Sequence, residues 1–444
     1  MHPLPPPAHP ATTLFTDRYE LTMLDAALRD GTAQRPCVFE TFTRRLPPGR
    51  RYAVAAGLGR LTEAIAAFRP SDDQLAALDD GHVVSPATLA WLADYRFRGD
   101  VVAYREGEIV LPDSPVLTVV GTFAEAVVLE TLALSVLNHD SAVASAAARM
   151  VAAAEGRSLL EFGSRRTHEH AAVAAARATY VVGFDGTSNL AAGARYDIPT
   201  LGTAAHAFTL LHDDEAAAFQ AQVAAFGPST TLLVDTFDTV EGVATALRIA
   251  GPGLGGVRID SGKLATVAHQ VRAQLDAAGA TRTRIVASSD LDELVIADLR
   301  DAPIDSYGVG TSVVTGSGAP TAGFVYKRVA RATTPGGQLE PVAKTNGEKS
   351  TVGGRKRAAR RLVDGFATAE VLRPWTEAAP PGARELQVPV IVDGELVHDP
   401  NLTEIRAHHA SAIAELPPAA LDVLPGEPCI PTVHELLSFQ EVPV

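Results

Sequence analysis

Seven short apolar runs in the middle of the chain end in residues able to hold an anion, a sugar or a metal. They read LLEFGSRR (159–166), YVVGFDGTSN (180–189), IPTLGTAAHAF (198–208), TLLVDTFDT (231–239), GVRIDSGK (256–263), RIVASSDLDE (284–293) and IDSYGVGTSV (304–313). Their ends supply Arg165, Arg166, His168, Ser188, Thr203, His206, Asp235, Asp238, Arg258, Asp260, Ser261, Lys263, Ser288, Ser289, Asp290, Gly308, Gly310 and Thr311. Guanidinium groups and glycine N–H groups hold phosphate oxygens, and carboxylates hold a metal or ribose hydroxyls. The set therefore suits a phosphorylated, Mg-chelated sugar. No cysteine or clustered histidine set competes as a transition-metal site.

Taken singly, each element has a plainer reading. Gly308-Val309-Gly310-Thr311 is a phosphate nest or an ordinary strand-to-helix turn. Arg165 and Arg166 bind an anion or pair with the chain's many acids. His206, between Ala205 and Ala207-Phe208, reads by default as a satisfied core histidine, and Asp290-Leu291-Asp292-Glu293 can cap the next helix. Recurrence at the same end of consecutive runs is what joins them into one site.

The runs recur every 20–30 residues with a helical stretch between them, which is what parallel strands with helical crossovers produce. Such crossovers wrap right-handed. Polar groups at every strand end favour a parallel α/β barrel over an open sheet, which would gather them at a switch point. Upstream, TDRYELTMLDAALR (16–29) reads as a helix capped by Thr16 or Asp17, with Tyr19, Met23 and Ala26 on one face. Cys37 to Thr43 is a strand candidate, 99–122 a small antiparallel sheet, and Phe123 to Glu155 one or two buried helices. The repeat stops after about residue 335, where short strands such as Leu386 to Val392 lie among Pro, Gly and charged residues. The expected organisation is a disordered start over 1–15, an N-terminal α+β domain over 16–140 and the barrel over 141–335. A segment over 336–444 then returns to the first domain or caps it.

The chain has 444 residues, 46% hydrophobic and 20% charged, which is a globular balance. A net charge of −14 argues against a nucleic-acid surface. The one basic run, RKRAARR (355–361), reads as a solvated or anion-facing patch. Two cysteines fit a reducing cytoplasm, MHPLPPPAHPATTLF lacks the apolar core of a secretory signal, and the apolar stretches are too interrupted to span a membrane. A cytoplasmic protein is expected.

TDRYELTM (16–23), FETFTRRLP (39–47), EFGSRR (161–166), GFDGTSN (183–189) and GTAAHAF (202–208) resemble, in order, the motifs of nicotinate phosphoribosyltransferases. The same is true of LVDTFDT (233–239), RIDSGK (258–263), SSDLDE (288–293), GVGTSVVT (308–315) and KTNGEKSTVGGRKRAARRL (344–362). The resemblance implies a type II phosphoribosyltransferase: an irregular α/β barrel with a second α+β domain formed from both chain ends, in a homodimer with shared active sites. It implies nicotinate, 5-phosphoribosyl 1-pyrophosphate (PRPP) and ATP as substrates, with Mg²⁺. His206 is similar to the histidine that ATP phosphorylates, and Tyr19 to a pyridine-ring contact from the neighbouring subunit. Thr203 and Arg258 resemble nicotinate contacts. Arg165, Asp260, Gly308, Gly310 and Thr311 resemble PRPP or phosphate contacts; metal ligands stay unassigned.

One position departs from the family: Lys263 stands where an acid usually follows the Asp-Ser-Gly motif. Nicotinamide phosphoribosyltransferase is the nearest alternative, but it carries an Asp where this chain has Ser188, and a carboxylate there would repel nicotinate. A non-catalytic PRPP-binding barrel is the other alternative.

Overall fold

The computed structural model describes residues 12–344 and 351–435. The chain forms two compact units. One takes residues up to Ala142, Pro320–Ala420 and those from Pro425 on; the other takes Val143–Ala319 and Leu421–Leu424.

The first unit is built on a seven-stranded sheet in which Pro36–Thr43 runs antiparallel to the central strand Leu117–Thr122 on one side and to Phe324–Arg331 on the other. Phe324–Arg331, inside the segment that the sequence reading gives to the barrel, thus belongs to this sheet. Gln387–Val392 joins it by pairing with Asp100–Tyr104. Nearly all of Pro36–Thr43 is buried on both faces, and Phe39 stacks on Tyr326 with ring centroids 4.9 Å apart.

The expected helix forms in this unit, with Tyr19, Met23 and Ala26 together on one face, and two other expectations need correction. The helix Arg18–Asp30, capped by Asp17, buries Glu20, Leu21, Leu24 and Ala27, while Tyr19, Met23 and Ala26 face outward. The Glu20 carboxylate is buried because it accepts hydrogen bonds from Thr16 and from Thr131. The basic run is not a solvated patch. It forms the strand Lys356–Val363, whose alternation turns Lys356 and Arg360 inward. Lys356 pairs with Glu40 at 2.6 Å, and the fully buried Arg360 bridges Glu370 at 2.7 Å and Glu108 at 3.3 Å. The expected disordered start is ordered from Thr12 onward, where Thr12–Phe15 makes a short turn with two buried threonines; residues 1–11 lie outside the described residues.

The second unit holds a parallel sheet of six strands: β1 (Ser158–Glu161), β2 (Gly186–Thr187), β3 (Thr231–Leu233), β4 (Gly256–Ile259), β5 (Arg284–Ser288) and β6 (Ser306–Val309). Its order is β2-β1-β6-β5-β4-β3, every pair parallel. A single bridge between Thr187 and Thr200 sets the remaining run, 198–208, beside β2. This is the cyclic order a barrel needs. Hydrogen-bonded closure is not seen, because no ladder joins 198–208 to β3 among the described residues. Helices start just past the strand ends, capped by Asp214, Asp238 and Asp292, so the loops that follow the strands are short and fixed.

Candidate active site

The strand ends of the second unit surround a cleft of about 550 Å³. Arg165, Arg166, Ser188, Thr203, His206, Arg258, Asp260, Ser288, Ser289, Asp290, Gly308, Gly310 and Thr311 line it, all of them anticipated from the sequence. Phe162 and Ser164 line it as well and were missed, although both sit in the same EFGSRR run.

Arg258 is the most constrained of these groups. Its side chain is 12% exposed, its Nε donates to Ser288 Oγ at 2.7 Å, Nη1 to Thr203 Oγ1 at 2.9 Å and Nη2 to Asp260 Oδ1 at 3.2 Å. The Phe162 ring lies beneath the guanidinium, 5.9 Å from its centroid. Ser288 Oγ also donates to Asp260 Oδ1 at 2.6 Å. Asp260 is itself braced from below: buried Asp235 accepts its backbone N–H at 2.7 Å and the Ser261 hydroxyl at 2.8 Å. A planar fork held in this way can meet a carboxylate in one fixed geometry. Arg165 and Arg166 are exposed and make no ion pair among the described residues, so the plainer reading of pairing with the chain's acids does not hold.

His206 is not a core histidine. Its side chain is 42% exposed at the cleft, with Nε2 3.9 Å from Asp260 Oδ2. Nδ1 shares a hydrogen bond with Thr236 Oγ1 at 3.1 Å, a partner the sequence reading did not single out. When Nδ1 carries the proton toward Thr236, Nε2 keeps its lone pair on the cleft side.

The glycines differ from each other. A Cβ at Gly308 would lie 2.5 Å from two atoms of the Phe162 ring, so Gly308 is required by packing under the cleft floor. At Gly310 the nearest atom would be 3.5 Å away, which is ordinary contact.

Several anticipated residues do not line the cleft. His168 and Asp238 cap helices, Asp235 and Ser261 brace Asp260, and Lys263 is exposed at the start of Leu264–Ala277. Asp292, not Asp290, caps Glu293–Asp298, which leaves Asp290 at the cleft. Tyr19 belongs to the first unit, where the residue is 45% exposed. Burial and the neighbouring Glu130 carboxylate, to which its hydroxyl is hydrogen bonded, raise its pKa and keep it a neutral phenol. Among the described residues no three or more His, Cys, Asp or Glu side chains gather as a metal site, and no helix is long and apolar enough to cross a membrane.

Comparison with known proteins agrees with the motifs. Residues 14–138 match the family model of the nicotinate phosphoribosyltransferase N-terminal domain. Nicotinate phosphoribosyltransferase pncB1 of Mycobacterium tuberculosis is 55% identical over 434 residues, 94% of each chain. The Bacillus subtilis nicotinate phosphoribosyltransferase is 38% identical, over 78% of this chain and 73% of its own. The crystal structure of human nicotinic acid phosphoribosyltransferase superposes with a TM-score of 0.82 at 25% identity, covering 95% of this chain and 98% of that one.

Proposed function

The chain belongs to the nicotinate phosphoribosyltransferase family, and from that premise we propose that it joins nicotinate to PRPP, giving nicotinate mononucleotide and pyrophosphate in NAD salvage. The observation that carries this reading is the pairing, in one cleft, of the rigidly held Arg258 fork with the unpaired guanidinium groups of Arg165 and Arg166. Arg258 and Thr203 take the nicotinate carboxylate. Arg165 and Arg166 take the diphosphate, and the backbone at Gly310 with Thr311 takes the 5-phosphate. The pyridine nitrogen attacks the anomeric carbon as the C–O bond to pyrophosphate breaks, and the cations stabilise the departing charge. Mg²⁺ would enter with PRPP and ATP, and Asp260 and Asp290, the carboxylates that line the cleft, would hold it together with phosphate oxygens. His206 Nε2 attacks the γ-phosphorus of ATP, ADP leaves, and the added charge beside Asp260 changes PRPP affinity. In this reading 198–208 and β3 close the barrel, and the protein is a homodimer of the cytoplasm. Ser188 at the cleft wall disfavours the nicotinamide alternative, because no carboxylate stands there to accept from an amide.

The test is turnover with PRPP and Mg²⁺, comparing nicotinate with nicotinamide, with and without ATP. Nicotinate is used preferentially and ATP stimulates. Labelled γ-phosphate enters the protein in acid-labile, base-stable form, and His206→Ala loses both label and stimulation. Higher efficiency with nicotinamide, or stimulation with no label, overturns the corresponding part.

A further inference from the structure

One buried carboxylate links the binding loops of the cleft, and no step of the proposed reaction uses it. Glu161, the last residue of β1, is fully buried and has no cation beside it among the described residues. One carboxylate oxygen accepts the Gly163 N–H and the other accepts the Thr187 hydroxyl. Thr187 Oγ1 in turn accepts the Asn189 N–H at 2.9 Å, and Asn189 Nδ2 donates to Ser164 Oγ at 3.0 Å. A closed ring therefore ties the loop of Arg165 and Arg166 to the loop of Ser188.

The ring reaches two further loops. The Thr187 backbone donates to Pro199 O and accepts from Leu201 N, both at 3.0 Å, which sets the segment leading to Thr203 and His206. Gly163, fixed by Glu161, sits so close to the turn at Gly310 that a Cβ would lie 2.2 Å from Val314 and 2.9 Å from Gly310 O. An unpaired buried carboxylate is costly to fold around, and an apolar residue or an amide would fill the volume more cheaply. What only a carboxylate supplies here is acceptance from two donors at once without a proton to place.

We propose that Glu161 is a positioning residue that locks the four loops in register, and so sets the binding of nicotinate and PRPP rather than the chemical step. This rests on the function proposed above.

Glu161→Gln puts an amide N–H₂ against one of the two donors, and Thr187→Val removes the hydroxyl on the other side of the same link. Each variant raises the nicotinate KM roughly tenfold or more while kcat stays within about threefold, the signature of lost binding geometry. Thr187→Ser restores the wild-type KM, and the double variant Glu161→Gln/Thr187→Val is no worse than either single one, because both cut the same connection. Amide hydrogen exchange over 187–203 quickens in Glu161→Gln at unchanged helix content. A folded Glu161→Gln protein with wild-type KM values, a loss confined to kcat, or additive single effects overturns the proposal. Should Glu161→Gln not fold, the Thr187→Val and Thr187→Ser pair decides it, equal KM values for the two overturning it. Should the wild type fail to turn over nicotinate, the proposed function falls separately, and the exchange rates alone decide, unchanged rates counting against the ring.

Discussion

At the scale of single residues, the cleft separates groups that are held from groups that are free. Arg258 is held by three oxygen partners, so its fork is oriented before any ligand arrives. Arg258→Ala removes a charge-assisted contact worth about 1.5–3 kcal/mol, which raises the nicotinate KM roughly 10- to 150-fold in steady-state assays. Arg258→Lys keeps the charge but not the fork, and recovers only part of that loss. An unchanged nicotinate KM in Arg258→Ala shows that another group holds the carboxylate. His206 illustrates what residue types alone leave open. Its alanine-rich neighbours read as core, yet the side chain stands 42% exposed, because it opens the short helix His206–Thr209 at the edge of the cleft.

At the scale of elements, the strand ends were legible because each parallel strand is a short buried run followed by a helix start, and that rhythm survives in sequence. What was not legible depended on partners far along the chain. The inward turn of Arg360 needs Glu108 and Glu370, and the buried Glu20 needs Thr131. Gly308 is a similar case: in sequence it is half of a phosphate nest, and in the fold its missing Cβ makes room for Phe162. Gly308→Ala displaces that ring, which costs about 1–3 kcal/mol of stability by overpacking and tilts the shelf under Arg258. Thermal melts of Gly308→Ala and Gly310→Ala separate the roles. Only the first melts lower, since the second meets nothing nearer than 3.5 Å. Equal melting of the two returns Gly308 to a purely phosphate-binding role.

At the scale of the whole molecule, charge is spent on assembly as well as on catalysis. Burial alone raises the pKa of Glu108, but the hydrogen bond from His408 and the charges of Arg360 and Arg384 outweigh it and hold the group well below its ordinary value of 4.5. A carboxylate depressed in the folded state adds stability that is complete above its unfolded pKa and is lost as pH falls through the folded one. Melting temperature therefore drops as the solution is acidified below about 4.5. Arg360→Met, which strips a cation from Glu108 and Glu370, melts lower at neutral pH by an amount equivalent to about 3–5 kcal/mol and shows a shallower acid limb. An identical acid limb in the two proteins removes Arg360 from this role. Tyr19 raises the question of how many chains make one site. It belongs to the first unit and the cleft to the second, and its ring faces outward from Arg18–Asp30 on the side with Met23, while its hydroxyl is tied to Glu130. A neutral phenol held by its hydroxyl leaves the ring face available to a flat aromatic ligand. Were the protein the homodimer proposed above, the ring would serve the partner's cleft. Tyr19→Ala and Arg258→Ala each weaken turnover, and mixing the two after subunit exchange restores part of it, because one of the two sites then has both residues intact. Mixed dimers, demonstrated by mass, that recover nothing place Tyr19 and Arg258 in the site of a single chain.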